Sequence, residues 1–178
     1  MRRLLLLLLL VSASPSFGAC QITLSRPTLN YGHVHDKNYV GQFRRWKTLS
    51  EREVQLTALC DKPTVMAIFT HSGDHPFGLR FASDSLIAAV ATHAVLDGKP
   101  VQLGRTLRHT PFLVRGETRD KKLILNDRGI LPMSGNRMLE GQKFTMTLKF
   151  IVALSERDTL VKDSTTLESH LRFSVETQ

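Results

Sequence analysis

The chain has 178 residues, of which 42% are hydrophobic and 22% charged, and its formal net charge at neutral pH is +8. That is one domain's worth of sequence with enough apolar content for a real core, so a single domain is expected over these residues. Beyond the first residues no apolar stretch approaches the roughly 20 residues of a membrane-spanning helix, which excludes a helical membrane protein.

The chain opens on "MRRLLLLLLLV", in which Arg2 and Arg3 precede an apolar run from Leu4 to Val11, followed by small residues. This is the pattern of a secretory signal peptide over residues 1–19, with cuts available after residue 13, 18 or 19. Residues 20–178 form the expected exported domain. Lipid attachment at Cys20 fits poorly, because Phe17 and the polar residues 12, 14 and 16 occupy the place of an aliphatic box. Without Arg2 and Arg3 the charge falls from +8 to +6. A basic surface suits acidic glycans or lipopolysaccharide, and export argues against nucleic acid, although solubility alone accounts for a charge of this size.

In "CQITL", Cys20, Ile22 and Leu24 share one face of an extended segment, and in "VQLTALC" Val54, Leu56, Ala58 and Cys60 share another. Two cysteines in an oxidising compartment, both on apolar faces, predict a Cys20–Cys60 disulfide. Closing that loop contributes about 4 kcal/mol in the chain-entropy model. Between these strands, His33 and His35 lie in "HVH", and Arg44, Arg45, Trp46 and Lys47 form "RRWK". The latter joins cations to an aromatic and is a candidate anionic-ligand surface. A solvated loop between strands is the more economical reading of it. "WKTLSEREVQL" carries a weak amphipathic character.

"TVMAIFTH" and "SLIAAVAT" are apolar on both faces, as in central strands, with a short helix as the alternative for the Ala-rich residues 85–92. "HSGDH" between them offers His71, Asp74 and His75 in a loop. Asp97-Gly98 between two apolar runs predicts a hairpin, and further turns are expected at Asn126-Asp127 to Gly129 and at Ser134-Gly135-Asn136. "RGETRDKK" gathers Arg115, Arg119, Lys121 and Lys122. The clearest strand is "FTMTLKFIVAL", where Phe144, Met146, Leu148, Phe150, Val152 and Leu154 alternate with other residues. "HLRFSVET" repeats the period with Leu171, Phe173 and Val175.

These elements predict an all-β sandwich with immunoglobulin-like topology and one disulfide. No nucleophile elbow, glycine-rich phosphate loop or HExxH is present, so no enzymatic activity and no cofactor are expected. The histidine pairs lack the further ligands of a metal site, and none is expected.

The order and spacing of "CQITLSRPTLNYG", "REVQLTALCDKPTVMAI", "VLDGKPVQLG", "GQKFTMTLKF" and "TTLE" before the terminal strand resemble a fimbrial subunit of the chaperone–usher pathway, nearest the β-fimbria-type branch. The resemblance implies an incomplete immunoglobulin-like β-sandwich lacking its final strand. Its groove would be lined by Leu171, Phe173, Val175, Phe144, Leu148 and Phe150. A periplasmic fimbrial chaperone would fill it first, then a strand donated by the neighbouring subunit, with an outer-membrane usher as assembly site. It further implies passage through the periplasm to a fimbrium on the cell surface, with adhesion to a host or surface glycan as the role. Two features depart from the family. "SPSFGA" before Cys20 is poor strand material, so the chain is expected to accept a strand without donating one, as a minor or tip subunit. Thr177 also stands where the family places an aromatic. The rival expectation is a self-sufficient periplasmic β-sandwich that binds an anionic ligand; a metal-dependent enzyme through His33 and His35 ranks below both.

Overall fold

A computed structural model describes residues 20–75, 78–160 and 165–178; the leader lies outside the described residues. Period-two sequence becomes strand throughout. In chain order the strands are β1 (Cys20–Leu24), β2 (Gly41–Phe43), β3 (Trp46–Thr48), β4 (Arg52–His71), β5 (Asp74–His75), β6 (Gly78–Phe81) and β7 (Ser85–Leu96). There follow β8 (Lys99–Pro100), β9 (Gln102–Thr106), β10 (Lys122–Leu123), β11 (Gly129–Ser134), β12 (Arg137–Met138), β13 (Glu140–Ser155) and β14 (Arg172–Thr177). The one α-helix among the described residues, α1 (Glu156–Thr159), is a single turn.

Strand β4 organises the fold by serving two sheets. Its first half pairs with β1 on one side and β13 on the other. Its second half pairs with β14 and β11. The changeover falls where Thr64 opposes Gly141 but Leu59 opposes Lys143, so several residues of β4 face a single residue of β13. Pro63 sits in this irregularity, where a missing N–H costs no ladder bond. One sheet therefore runs β1–β4–β13–β7–β6–β5, and the other runs β14–β4–β11–β9.

The facing sides of the two sheets make one core. Leu56 and Ala58 from β4, Ala89 and Ala91 from β7, and Phe144, Met146 and Leu148 from β13 meet Met66, Ile68, Leu103 and Ile130 from the second sheet. The alternation predicted for β13 is borne out: all six apolar positions from Phe144 to Leu154 are buried. The outer face of β4's second half is covered too, by Phe112 over Phe69, which is why "TVMAIFTH" is apolar on both faces. Residues 85–92 are strand rather than helix, since both faces of β7 are needed for burial. "WKTLSEREVQL" is likewise not helical, and divides into β3, a short link and the start of β4.

The hairpin at Asp97-Gly98 forms as expected. Leu96 pairs with Lys99 across a two-residue loop, with φ of 48° at Asp97 and 81° at Gly98. Positive φ at both positions matches the strand twist. The Cys20–Cys60 disulfide is formed, and the two cysteines stand directly opposite in the β1–β4 ladder.

Candidate functional site

The second sheet does not cover the whole inner face of the first. Phe144 and Leu148 lie deep between the sheets with no exposed area. Farther along β13, Phe150, Val152 and Leu154 form, with Val54 and Ile87, the floor of a cleft of about 1710 Å³. Among the described residues no strand lies opposite this floor. Two segments without strand or α-helix structure arch over it instead, one from Arg26 to Tyr39 and one from Thr165 to Leu171. Leu29, Tyr31 and Val34 hang from the first, Leu167 and Leu171 from the second, all half-buried. The floor itself stays nearly sealed, with Phe150 6% exposed.

One wall of the cleft is the start of β14. Its register on β4 puts Phe173 beside Thr70 and Val175 beside Ile68, so these apolar side chains face inward. Among the described residues β14 and β1 each pair only with β4. They lie on the same side of it, because β13 and β11 occupy the other. The two strands therefore follow one another along a single edge and leave the backbone groups of their outer sides without a strand partner. The hydroxyl of Tyr31, a cleft residue, is buried without a hydrogen-bond partner. Burial raises its pKa, although Arg52, 5.5 Å from the ring centroid, opposes the rise.

The six groove residues named from the sequence divide between two places. Leu171, Phe173 and Phe150 line the cleft. Phe144 and Leu148 belong to the closed core, and half-buried Val175 packs at its edge. The segment containing Leu29, Tyr31 and Val34 was missed by sequence reasoning. Its only signal is the spacing of apolar residues in "LNYGHV", too irregular to be a strand.

The "RRWK" cluster needs one correction. Trp46 is not on the surface: it is 2% exposed, packs against Leu86 and Ala153, and donates its indole N–H to the Asp84 carbonyl at 2.9 Å. Pairing of β3 with the end of β13 drives the ring inward. The aromatic that reaches solvent is Phe43, 45% exposed and stacked on Trp46 at 6.1 Å. Arg44 lies over Phe43 at 5.8 Å, Arg45 over Trp46 at 5.1 Å, and Lys47 over Tyr39 at 4.9 Å. Arg45 also pairs with Asp84 at 3.6 Å. In the other basic cluster, Arg119 pairs with Glu117 at 2.6 Å and Lys122 donates to the Glu117 carbonyl.

Neither histidine pair gathers ligands, and no group of three or more potential metal ligands occurs among the described residues. His71 instead meets Ser174 at 2.8 Å. His109, which carried no sequence signal, sits between the Glu176 and Asp127 carboxylates at 2.5 and 2.8 Å.

No family model matches this chain, and no curated protein matches it. Among solved structures it is similar to the crystal structure of the P pilus rod subunit PapA, with a TM-score of 0.45 and 10% sequence identity, over 89% of this chain and 99% of that one.

Proposed function

We propose that this chain is a non-catalytic structural subunit whose cleft accepts an extended strand from another polypeptide, as a minor or tip subunit of a chaperone–usher fimbrium. The observation that carries this reading is the pair of edges on β1 and β14 that have no strand partner among the described residues, aligned on one side of β4 and adjoining a cleft with an apolar floor. An extended peptide laid there would gain main-chain hydrogen bonds from the edges and side-chain burial against the half-buried Leu24 and Phe173 of those edges, the two components of strand addition. An exposed edge beside apolar surface also promotes aggregation until covered, which supports a chaperone as first occupant and a neighbouring subunit as second. An usher and an adhesive glycan contact belong to the same proposal, as does export through residues 1–19. The terminal position draws on Pro15 and Gly18, which weaken residues 14–19 as a donor strand.

The exposed hairpin tip of Phe43, Arg44 and Arg45 favours a second reading, a surface for an anionic ligand. One experiment separates the two. Thermal unfolding of the purified domain is followed while a peptide of alternating apolar residues, or an acidic oligosaccharide, is added. A strand-accepting subunit is stabilised by the peptide, by about 2.7 kcal/mol at a hundredfold excess over Kd. A closed anion-binding domain responds to the oligosaccharide alone, and that result overturns the first reading.

A further inference from the structure

We propose that His109 is a proton-operated clamp that fixes the C-terminal strand β14, the wall of the cleft, to the body of the domain. The geometry demands it. His109 directs Nδ1 at Glu176 of β14, 2.5 Å away, and Nε2 at Asp127 in the turn before β11, 2.8 Å away. A neutral imidazole has one N–H and one lone pair, whereas ionised carboxylates only accept, so both bonds form together only on the imidazolium. Loss of the proton sets a lone pair against one carboxylate and breaks the bridge.

The ring is held for this task. It stacks on Phe69 of β4 at a centroid distance of 4.1 Å and 12° between planes, covering the outer face of the β4–β14 ladder. His71 of β4 lies parallel to it at 6.3 Å and meets Ser174 of β14 at 2.8 Å, with Asp127 3.9 Å from its other ring nitrogen. The titratable groups shown to face His109 are thus Glu176 on β14, Asp127 at the turn and His71 on β4, with Arg108, Arg128 and Arg172 the cations nearest to them in sequence or register. Of these, the hydrogen bond to Glu176 acts most strongly to raise the His109 pKa; burial opposes it, and Asp127 adds to the rise. For a raised histidine pKa the sign is fixed. The clamp is fully present below the ordinary imidazole range and is lost as pH rises through the elevated value.

The opposite face of β14 carries Phe173, in the cleft wall. Acid therefore stiffens that wall and alkali frees it. That this tunes the entry of a partner strand rests on the function proposed above; the clamp does not. The test is nitrogen-detected NMR titration of the histidines in the folded domain, with amide exchange of residues 173–177 measured from pH 5 to 9 and corrected for intrinsic rates. The His109 pKa is expected above its ordinary value, returning toward it in E176Q, with β14 protection falling about tenfold for each unit of that elevation. In H109Q the protection is expected to be low and independent of pH. E176Q and D127N, each removing the charge from one arm, give intermediate protection, and they keep the test open if H109Q folds poorly. An ordinary His109 titration, or β14 protection in the wild type that ignores pH, overturns the clamp. A cleft that takes no peptide leaves both readouts unchanged, so the two proposals fail separately.

Discussion

Asp158 shows how a single carboxylate can be made structural. It is 8% exposed and accepts the Ser85 hydroxyl at 2.6 Å and the Asp84 N–H at 2.9 Å. Its own N–H donates to Ser155 Oγ at 3.2 Å, and the Ser155 N–H donates to Ser85 Oγ at 2.9 Å. The network ties the turn between β6 and β7 to the end of β13. Burial opposes the charge, but the hydrogen bonds from Ser85, Asp84, Ser155 and Ser83 outweigh it and hold the carboxyl below the ordinary aspartate range. A depressed carboxylate contributes stability above its unfolded pKa and loses it as pH falls through the folded value. Asp158→Ala is therefore expected to cost about 3 kcal/mol at neutral pH, since it orphans buried donors. Denaturation from pH 7 to 3 should show the wild-type advantage over Asp158→Asn shrinking below about pH 4. Beyond the Ser155 cap, nothing in "SERDTL" announces the carboxylate's role, because Asp84 and Ser85, which donate to it, lie more than seventy residues away in sequence. Trp46 was obscured for a related reason: flanking cations suggest a surface, while burial is set by distant Leu86 and Ala153.

At the scale of the element, the β7–β8 hairpin does more than reverse the chain. Asp97, in the left-handed region at φ 48°, aims its carboxylate at β13 and accepts the Lys143 N–H at 2.8 Å and the Gln142 N–H at 3.1 Å. Those amides lie in the irregularity where β13 shifts register on β4. The turn residue thus satisfies the backbone that the bulge leaves unpaired. At Gly141 beside it a Cβ would lie 2.5 Å from Leu96 Cδ1 and 2.7 Å from Asp97 Oδ2, so any side chain there would have to displace both. Asp97→Ala loses both the tolerance for positive φ and the charged acceptor, and is expected to cost about 2–3 kcal/mol in urea unfolding. Asp97→Asn keeps the turn and one acceptor and should lose roughly half as much. An Asp97→Ala variant as stable as the wild type would remove the bulge-capping role. The hairpin itself was legible from Asp-Gly between apolar runs. Its second function was not, because it depends on where β13 happens to pass.

For the whole molecule, the short edge strand β1 is held by five paired positions and one covalent bond. The disulfide closes a separation of 40 residues. Its removal by Cys20→Ser with Cys60→Ser is expected to cost about 4 kcal/mol, read from guanidinium unfolding of the two proteins. Because β1 has no other strand neighbour among the described residues, its amides should lose protection before those of β4 and β13.

Local chemistry was enough to settle the all-β class, the faces of β1, β4 and β13, the Asp97-Gly98 turn and the disulfide. Each depends on the two-residue period of an extended chain or on the conformational demands of a turn, which act between near neighbours. Tertiary structure alone decided that β4 serves two sheets, that Phe144 and Leu148 lie in the closed core while Phe150 floors a cleft, and that His109 meets Glu176. Those outcomes depend on which strand lies opposite which. Alternation tells that a side chain points inward, but what it meets there is set by segments a hundred residues away.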